Sequence, residues 1–547
     1  MRQLILCCDG TNNNFTGGVA DTHLVRLREL LAAHNDADQR IFYDPGVGNA
    51  GMLPAATIGS KLRGLSERIA GLAFGRGVYE NIAEGYRYLM REYKPGDQIF
   101  IFGFSRGAFT ARSIAGLVNK FGVLRPEAST MVRTLLHLYF ADDAKVDRSD
   151  ARQSKPEVLV AQIQRTFGQG EVPVHFVGVW DTVGSVGMWP FGLKFTAKPT
   201  LAGKRFIHVR QALALDEQRA EFKPRLYAEE NGSFDCAPGF GTGTLQQLWF
   251  RGSHCDVGGG YARADATLSM APLCWMLSEA CQLGLRLSAN GQVLLTEEAV
   301  GTALHDHQPA LDSGNAPPLI HSQLQQTPLW AITGLAVRVT DRVDLDAAED
   351  PHVTPVEHPS VAAWPARFPQ DTAWARWNLG QADLLALLVA VLCPVLMVLC
   401  SGLQGAHEFV AWQLGWVRHG WVVRWPDGVD HLMWQLLLDV PFILAWSWLL
   451  SIPAVWAFAR RAGLRRVQSR VPKGLQTLGW SLTLAVFADL GEDLFSVLTL
   501  GVLSFGHDWM ATLPAALMSI CSIGKWAGVA GTLLLIASGF LPARRSS

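Results

Sequence analysis

The chain carries almost no net charge and no ordered cysteine pattern. Over 547 residues the formal charge at neutral pH is -1, which excludes a bulk electrostatic pull toward nucleic acid. Nine cysteines are scattered, none in a Cys-x-x-Cys pair, and their number is odd. A disulfide framework and a zinc site are therefore not expected, and a reducing compartment at synthesis fits better. A secretory signal is not expected either: the first apolar run, Leu4 to Cys8, is too short for one and reads as a first strand. No internal repeat is visible. Long apolar runs are absent up to about residue 375 and dominate from about Ala382 onward. Between these regions, Asp344 to Trp377 is rich in Pro, Ala and charge, with Pro351, Pro355, Pro359, Pro365 and Pro369, the composition of a linker or irregular strap. The expected division is residues 1–343 as a catalytic domain, 344–380 as the strap and 381–547 as a helical membrane domain.

The first region alternates strands and helices. Leu4 to Cys8, Gln98 to Phe102, Val174 to Trp180 and Leu248 to Phe250 are short apolar runs closed by turn residues. Gly77 to Tyr93 places Val78, Ile82, Tyr86, Leu89, Met90 and Tyr93 on one helical face, and Lys94-Pro95-Gly96-Asp97 ends that helix. This pattern predicts an α/β fold with a mostly parallel sheet flanked by helices. In such folds the chemistry sits beyond the carboxyl ends of the strands.

That rule singles out Gly103-Phe104-Ser105-Arg106-Gly107, which follows an apolar strand and opens the helical run Ala108 to Val118. Strand, G-x-S-x-G, helix is the arrangement of a nucleophile elbow, in which a sharp turn lifts the serine hydroxyl off the sheet edge. Gly103 and Gly107 leave room for the turn and for close helix packing, and the Arg106 N–H can face a developing oxyanion. Asp181 follows the strand ending at Trp180, placed to orient a histidine. His254 follows the strand ending at Phe250, in a loop rich in glycine. Taken singly, Asp181 is equally a loop cap and His254 a solvated loop residue. Together with Ser105 they stand in the chain order Ser, Asp, His of α/β-hydrolases. His254 would take the Ser105 proton and Asp181 would fix the imidazole. Asp9-Gly10-Thr11, after the first strand, could supply a second oxyanion N–H from Gly10 or Thr11. His305-Asp306-His307 and His321 lie in a polar loop segment that offers a rival base; two histidines flanking an Asp could bind a metal, but no third ligand is evident and such a loop more commonly means solvent exposure. Gly239 to Gly243 reads as a hairpin and not as a nucleotide loop. No cofactor and no metal are expected.

Six motifs in order resemble a known family. They are Cys8-Asp9-Gly10-Thr11-Asn12-Asn13, Pro45-Gly46-Val47-Gly48, Gly103-Phe104-Ser105-Arg106-Gly107-Ala108, Val179-Trp180-Asp181-Thr182-Val183-Gly184, Ala214-Leu215-Asp216-Glu217 and His254-Cys255-Asp256-Val257-Gly258-Gly259-Gly260-Tyr261. The stretch from about residue 2 to about 340 resembles the α/β-hydrolase domain of the first class of bacterial type VI secretion lipase effectors. The resemblance implies a phospholipase A-type serine esterase with Ser105, Asp181 and His254 as its triad, and an immunity or delivery partner. Cys255, where members commonly have Ser, and Gln211, where many have His, are departures that leave the triad untouched.

Four apolar segments follow: 384–403, 436–459, 475–505 and 513–541. The first two are long and apolar enough to span a bilayer. The third is interrupted by Asp489, Glu492 and Asp493, and the fourth contains Lys525. Trp412, Trp416, Trp421, Trp425 and Trp434 suit an interfacial belt. Arg460, Arg461, Arg465, Arg466, Arg470 and Lys473, with Arg544 and Arg545 near the end of the chain, place both regions on the cytoplasmic side if positive residues stay inside. The acidic group would pair with Lys525, line a cavity or mark a re-entrant run. The expectation is a multi-pass inner-membrane serine esterase acting on phospholipid, its catalytic domain cytoplasmic unless the protein is delivered as an effector. Two other readings stand beside it: a membrane-disrupting or signalling protein on a hydrolase scaffold, and a tethered esterase for soluble substrates.

Overall fold

The computed structural model describes residues 1–10, 21–34, 36–46, 71–140, 156–183, 185–186, 193–194, 200–219, 222–262, 265–289, 292–305, 320–321, 356–363, 386–397, 399, 429–463, 478, 480–504 and 512–540. The chain divides into two units. One contains Met1–Glu217, Glu221–His321 and Arg338–Arg367; the other contains Gln218–Ala220, Ser322–Val337 and Phe368–Ser547.

The first unit is built on an eight-stranded sheet. Its strands are β1 (Gln3–Cys8), β2 (Gln39–Asp44), β3 (Gln98–Phe104), β4 (Val174–Trp180), β5 (Phe206–Ala214), β6 (Gly232–Asp235), β7 (Thr242–Phe250) and β8 (Val356–Glu357). Their order is β8-β7-β5-β4-β3-β1-β2, all neighbours parallel, with β6 pairing antiparallel to β7. The α/β architecture read from the sequence is therefore the one observed. Gly239 to Gly243 forms the turn and strand start of the β6–β7 hairpin.

Side-chain alternation explains why the central strands are apolar throughout. On β1, Leu4, Leu6 and Cys8 join one core while Ile5 and Cys7 join the other; on β3, Ile99 and Ile101 oppose Phe100, Phe102 and Phe104. Both faces are covered by helices, so neither set of alternate positions meets water. One core is closed by α2 (Gly71–Glu92), α3 (Arg106–Phe121), α4 (Val132–Phe140) and α5 (Pro156–Phe167). The other is closed by α1 (His23–His34), α7 (Met270–Gln282) and α8 (Glu297–His305). A short helix, α6 (His254–Gly258), leads away from β7.

Some elements were not legible as strands. β5 contains His208, Arg210 and Gln211, which break an apolar run; in the fold Arg210 is buried against Glu279, its Nε 2.7 Å from the carboxylate. The strap contributes β8, whose Val356 pairs with Leu248 at the sheet edge.

The second unit contains helices α9 (Ala386–Met397), α10 (Val429–Gly463), α11 (Ser481–Ser504) and α12 (Thr512–Phe540). Helices α10, α11 and α12 pack on one another. Among the described residues one helix, Leu513–Ser538, is long and apolar enough to cross a membrane. The apolar helices Ala386–Met397 and Leu436–Ser451 are shorter, and three carboxyl groups interrupt α11. The four spans expected from the sequence thus reduce to one by this measure. The tryptophans from Trp412 to Trp425, the basic residues from Arg465 to Lys473 and those at Arg544 and Arg545 lie outside the described residues.

Gly107 fixes how closely α3 approaches the sheet. A Cβ there would collide with the carbonyl oxygens of Cys8 and Asp9, backbone groups at the end of β1 and just past it that cannot rotate away. Gly107→Ala is expected to destabilise this unit by about 3 kcal/mol through overpacking. Gly301→Ala, where a Cβ finds only ordinary contact with Cys274, is expected to be neutral or slightly stabilising. Melting temperatures of the two full-length variants check the contrast.

Candidate active site

The register between β3 and β4 pairs Phe104 with Trp180, so Ser105 and Asp181 leave the sheet side by side. The ladder continues one step beyond the strands: Ser105 N–H donates to the Trp180 carbonyl (3.1 Å) and Asp181 N–H to the Ala212 carbonyl (2.8 Å). Both residues then turn sharply. Ser105 has φ 59° and Asp181 φ 42°, and they are the two non-glycine residues with positive φ among those described. Such backbone is costly for a side-chain-bearing residue and persists only where surrounding contacts hold it. At Ser105 the contact is the elbow itself: a Cβ on Gly103 would lie 2.7 Å from the Ala108 Cα, too close for any residue but glycine.

His254 arrives from the neighbouring part of the sheet. β7 ends at Phe250, and Ser253 caps α6, its hydroxyl and the Asp256 carboxylate forming a capping box. His254 is the first residue of that helix. Its Nδ1 lies 2.6 Å from Asp181 Oδ2 and its Nε2 lies 2.7 Å from Ser105 Oγ. A carboxylate only accepts, so Nδ1 carries the proton and Nε2 accepts the serine hydroxyl. All three groups are buried: Asp181 is 0%, His254 3% and Ser105 8% exposed. The second Asp181 oxygen accepts the Ala214 N–H at 3.0 Å. The imidazole is held by the Phe104 ring at 4.7 Å and the edge of Phe222 at 4.9 Å.

The fold therefore brings Ser105, Asp181 and His254 into one hydrogen-bonded line. Arg106 is the first residue of α3, directly after the serine. Burial lowers its guanidinium to about 10, still above neutral pH. The Gly10 N–H is turned onto Asp9 Oδ1 at 2.7 Å, so as an oxyanion donor it would have to leave that carboxylate. Thr11 lies outside the described residues. Of the histidine-rich segment, residues 306 and 307 also lie outside them. Among the described residues no group of three or more His, Cys, Asp or Glu side chains is spaced to hold a metal.

Several supporting contacts were not legible in the sequence. Asp9 accepts the hydroxyls of Thr22 and Tyr43, each at 2.7 Å, which fixes its carboxylate. Asp216 and Glu217 brace the histidine loop: Gly252 N–H donates to Asp216 (2.7 Å) and His254 N–H to Glu217 (3.2 Å). His321, expected to be solvent-exposed, instead places Nδ1 2.7 Å from Asp256 Oδ1, and its own N–H donates to Asp256 Oδ2 (3.0 Å). The Tyr261 ring stacks on it at 4.2 Å. Its distance along the chain from Asp256, 65 positions, hid the pairing. Burial alone would lower the His321 pKa, but the hydrogen bond and charge of Asp256 outweigh it and raise the value. Gln211, the departure noted in the sequence, is buried and donates to the Arg225 carbonyl at 2.9 Å.

Comparison with known proteins gives two findings. A family described as type VI secretion system phospholipase effector, Tle1-like, catalytic domain, matches residues 2–279, just over half of the chain. An uncharacterised protein of Saccharomyces cerevisiae, YEL023C, is 32% identical over 225 residues, covering 41% of this chain. The aligned part is 32% of the yeast protein, so the chain spans about a third of the length of this curated relative. No solved structure matches the chain.

Two variants probe the site. Asp181→Asn keeps the shape but presents the wrong donor to Nδ1, and is expected to lower kcat for ester hydrolysis about 10⁴-fold, measured on a chromogenic ester. The raised His321 value means its clamp on Asp256 stabilises the fold fully below the ordinary histidine pKa of 6.5 and fades as pH rises through the folded-state value. The melting-temperature gap between wild type and His321→Gln is therefore expected to be widest in mild acid and to close toward alkaline pH.

Proposed function

We propose, from the premise that this chain belongs to the family of Tle1-like phospholipase effectors of type VI secretion systems, that it hydrolyses phospholipid acyl esters with a Ser105–His254–Asp181 triad. The observation that carries this reading is the unbroken hydrogen-bond line from Ser105 Oγ through His254 to Asp181. His254 Nε2 takes the serine proton as Oγ attacks the ester carbonyl, and the imidazolium faces the Asp181 carboxylate. The tetrahedral oxyanion forms beside the Arg106 N–H at the start of α3, where the helix dipole favours negative charge. A second donor comes from Gly10 or Thr11. Collapse expels the lysophospholipid alcohol, which leaves with the proton from His254. Water activated by the same imidazole then releases the fatty acid from Ser105.

The proposed organisation is a catalytic domain over residues 1–343, a strap over 344–380 and a membrane-embedded helical domain over 381–547. Supporting it, the helical unit turns large apolar side chains outward, among them Leu437, Leu444, Leu494, Ile523, Trp526 and Leu534, while keeping carboxyl and hydroxyl groups inside. A bilayer satisfies such an apolar exterior and water does not. The tail would then hold the active site where the ester bonds are. A multi-pass placement, a secretion-apparatus contact and an immunity partner belong to the same proposal.

Fatty-acid release from vesicles of phosphatidylethanolamine and phosphatidylglycerol tests the reading. Wild type is expected to release fatty acid and Ser105→Ala to fall to the protein-free background. Release that survives Ser105→Ala would refute the serine mechanism.

A further inference from the structure

The helical unit buries ionisable groups that lipid hydrolysis does not use. Lys525 on α12 forms ion pairs with Asp489 and with Glu492 Oε2 (3.3 Å), both on α11. Trp446 of α10 donates its Nε1–H to Asp489 at 3.2 Å. One residue on from Glu492, Asp493 faces Asp439 of α10. Asp493 is 8% exposed and Asp439 7%. Neither Asp493 oxygen meets a hydrogen-bond donor. Cys393 of α9 lies near Asp439, and Cys521 of α12 near Glu492.

The charges do not balance. Among the described residues four carboxyls face one ammonium, and Lys525 is shared by Asp489 and Glu492. An unpaired carboxylate in an apolar bundle costs several kcal/mol, and two carboxylates in contact cannot both stay ionised. A positive charge between Asp439 and Asp493, a proton included, relieves that repulsion. No group of three or more His, Cys, Asp or Glu side chains among the described residues is spaced for a metal ion. A proton shared by the two carboxyls satisfies both.

The cluster also has a position and a continuation. Lys525 falls midway along the apolar span Leu513–Ser538, and Glu492 midway along α11. On either side of it the bundle interior holds buried hydroxyls. Ser481 of α11 hydrogen-bonds Thr532 of α12 at 3.0 Å toward one end. Ser496 and Thr499, both buried, line α11 toward the other. From Ser481 to Thr499 is about 27 Å at a helical rise of about 1.5 Å per residue, close to the hydrocarbon thickness of about 30 Å. Buried hydroxyl and carboxyl side chains spread over that length, inside an apolar exterior and with the ionisable groups at mid-depth, have the layout of an intramembrane proton path.

We propose that the helical unit carries protons across the bilayer along this interior, with the Asp439–Asp493 pair as the site that binds and releases them. A proton enters at one end, passes between hydroxyl and carboxyl oxygens, and leaves at the other, and the protein is unchanged after each passage. The proposal rests on the membrane placement of the helical unit and adds an activity independent of Ser105.

The test uses the full chain in vesicles of ether-linked phosphatidylcholine, which an esterase cannot cleave, with an entrapped pH-sensitive dye and valinomycin to balance charge. Flotation is measured first. Wild type is expected to float with the vesicles and collapse an imposed pH gradient while the dye stays inside. Asp493→Asn and Asp439→Asn are expected to float, to release fatty acid from ester-linked vesicles as wild type does, and to return the gradient decay to the protein-free rate. Floating protein that leaves the gradient intact overturns the proton path while the membrane reading stands. So do Asn variants that leak like wild type, and so does escape of the dye, which marks an unselective pore. Protein that fails to float overturns the membrane reading and this proposal with it.

Discussion

The β3–β4 register is the constraint from which the site follows. Because Phe104 stands opposite Trp180, the serine and the aspartate leave adjacent strands at the same height, and one imidazole can touch both. A slip of one residue would turn either side chain to the other face of the sheet. The register is held by the continuous apolar faces of β3 and β4, where Phe102 packs on Phe176 and Trp180, and by the two backbone hydrogen bonds that extend the ladder past the strand ends. The strain at Ser105 and Asp181 is affordable only because that frame is rigid.

The histidine is positioned differently. It sits on a five-residue helix, too short to stabilise itself, so its placement depends on side chains from elsewhere. Asp216 and Glu217 anchor the backbone before and at His254, Asp256 closes the cap, and His321 clamps Asp256. Two aromatic rings then limit the tilt of the imidazole. Ser105 and Asp181 are thus fixed by the sheet, and His254 by a network of carboxylates. Removing a member of that network is expected to disturb His254 while leaving the turn at Ser105 intact.

The two units solve opposite solvation problems. The sheet unit hides apolar strands between two helical layers and pairs buried charges such as Arg210 and Glu279. The helical unit exposes Leu, Ile and Trp and hides carboxyls. In water that arrangement loses on both counts; in lipid the exterior costs nothing and the interior becomes a place where ionisable groups are sheltered and can act.

Local signals were enough for much of this. Apolar runs closed by turn residues gave the α/β class, since strands buried on both faces must be apolar at every position. The glycine spacing around Ser105 marked the elbow, because a backbone approach as close as that of Gly107 to Cys8 and Asp9 admits no side chain. Asp181 and His254 were legible as strand-end residues in a chain order. What the sequence did not contain was distance. That Ala214 holds Asp181, that His321 clamps Asp256, that Gly10 turns onto Asp9, and that Asp439 meets Asp493 are all contacts between residues unconnected by any local pattern. β5 was hidden because Arg210 looks like a surface residue until Glu279 is beside it. Sequence periodicity reports which face a residue takes within its own element; which partner waits on that face is decided only when the elements pack.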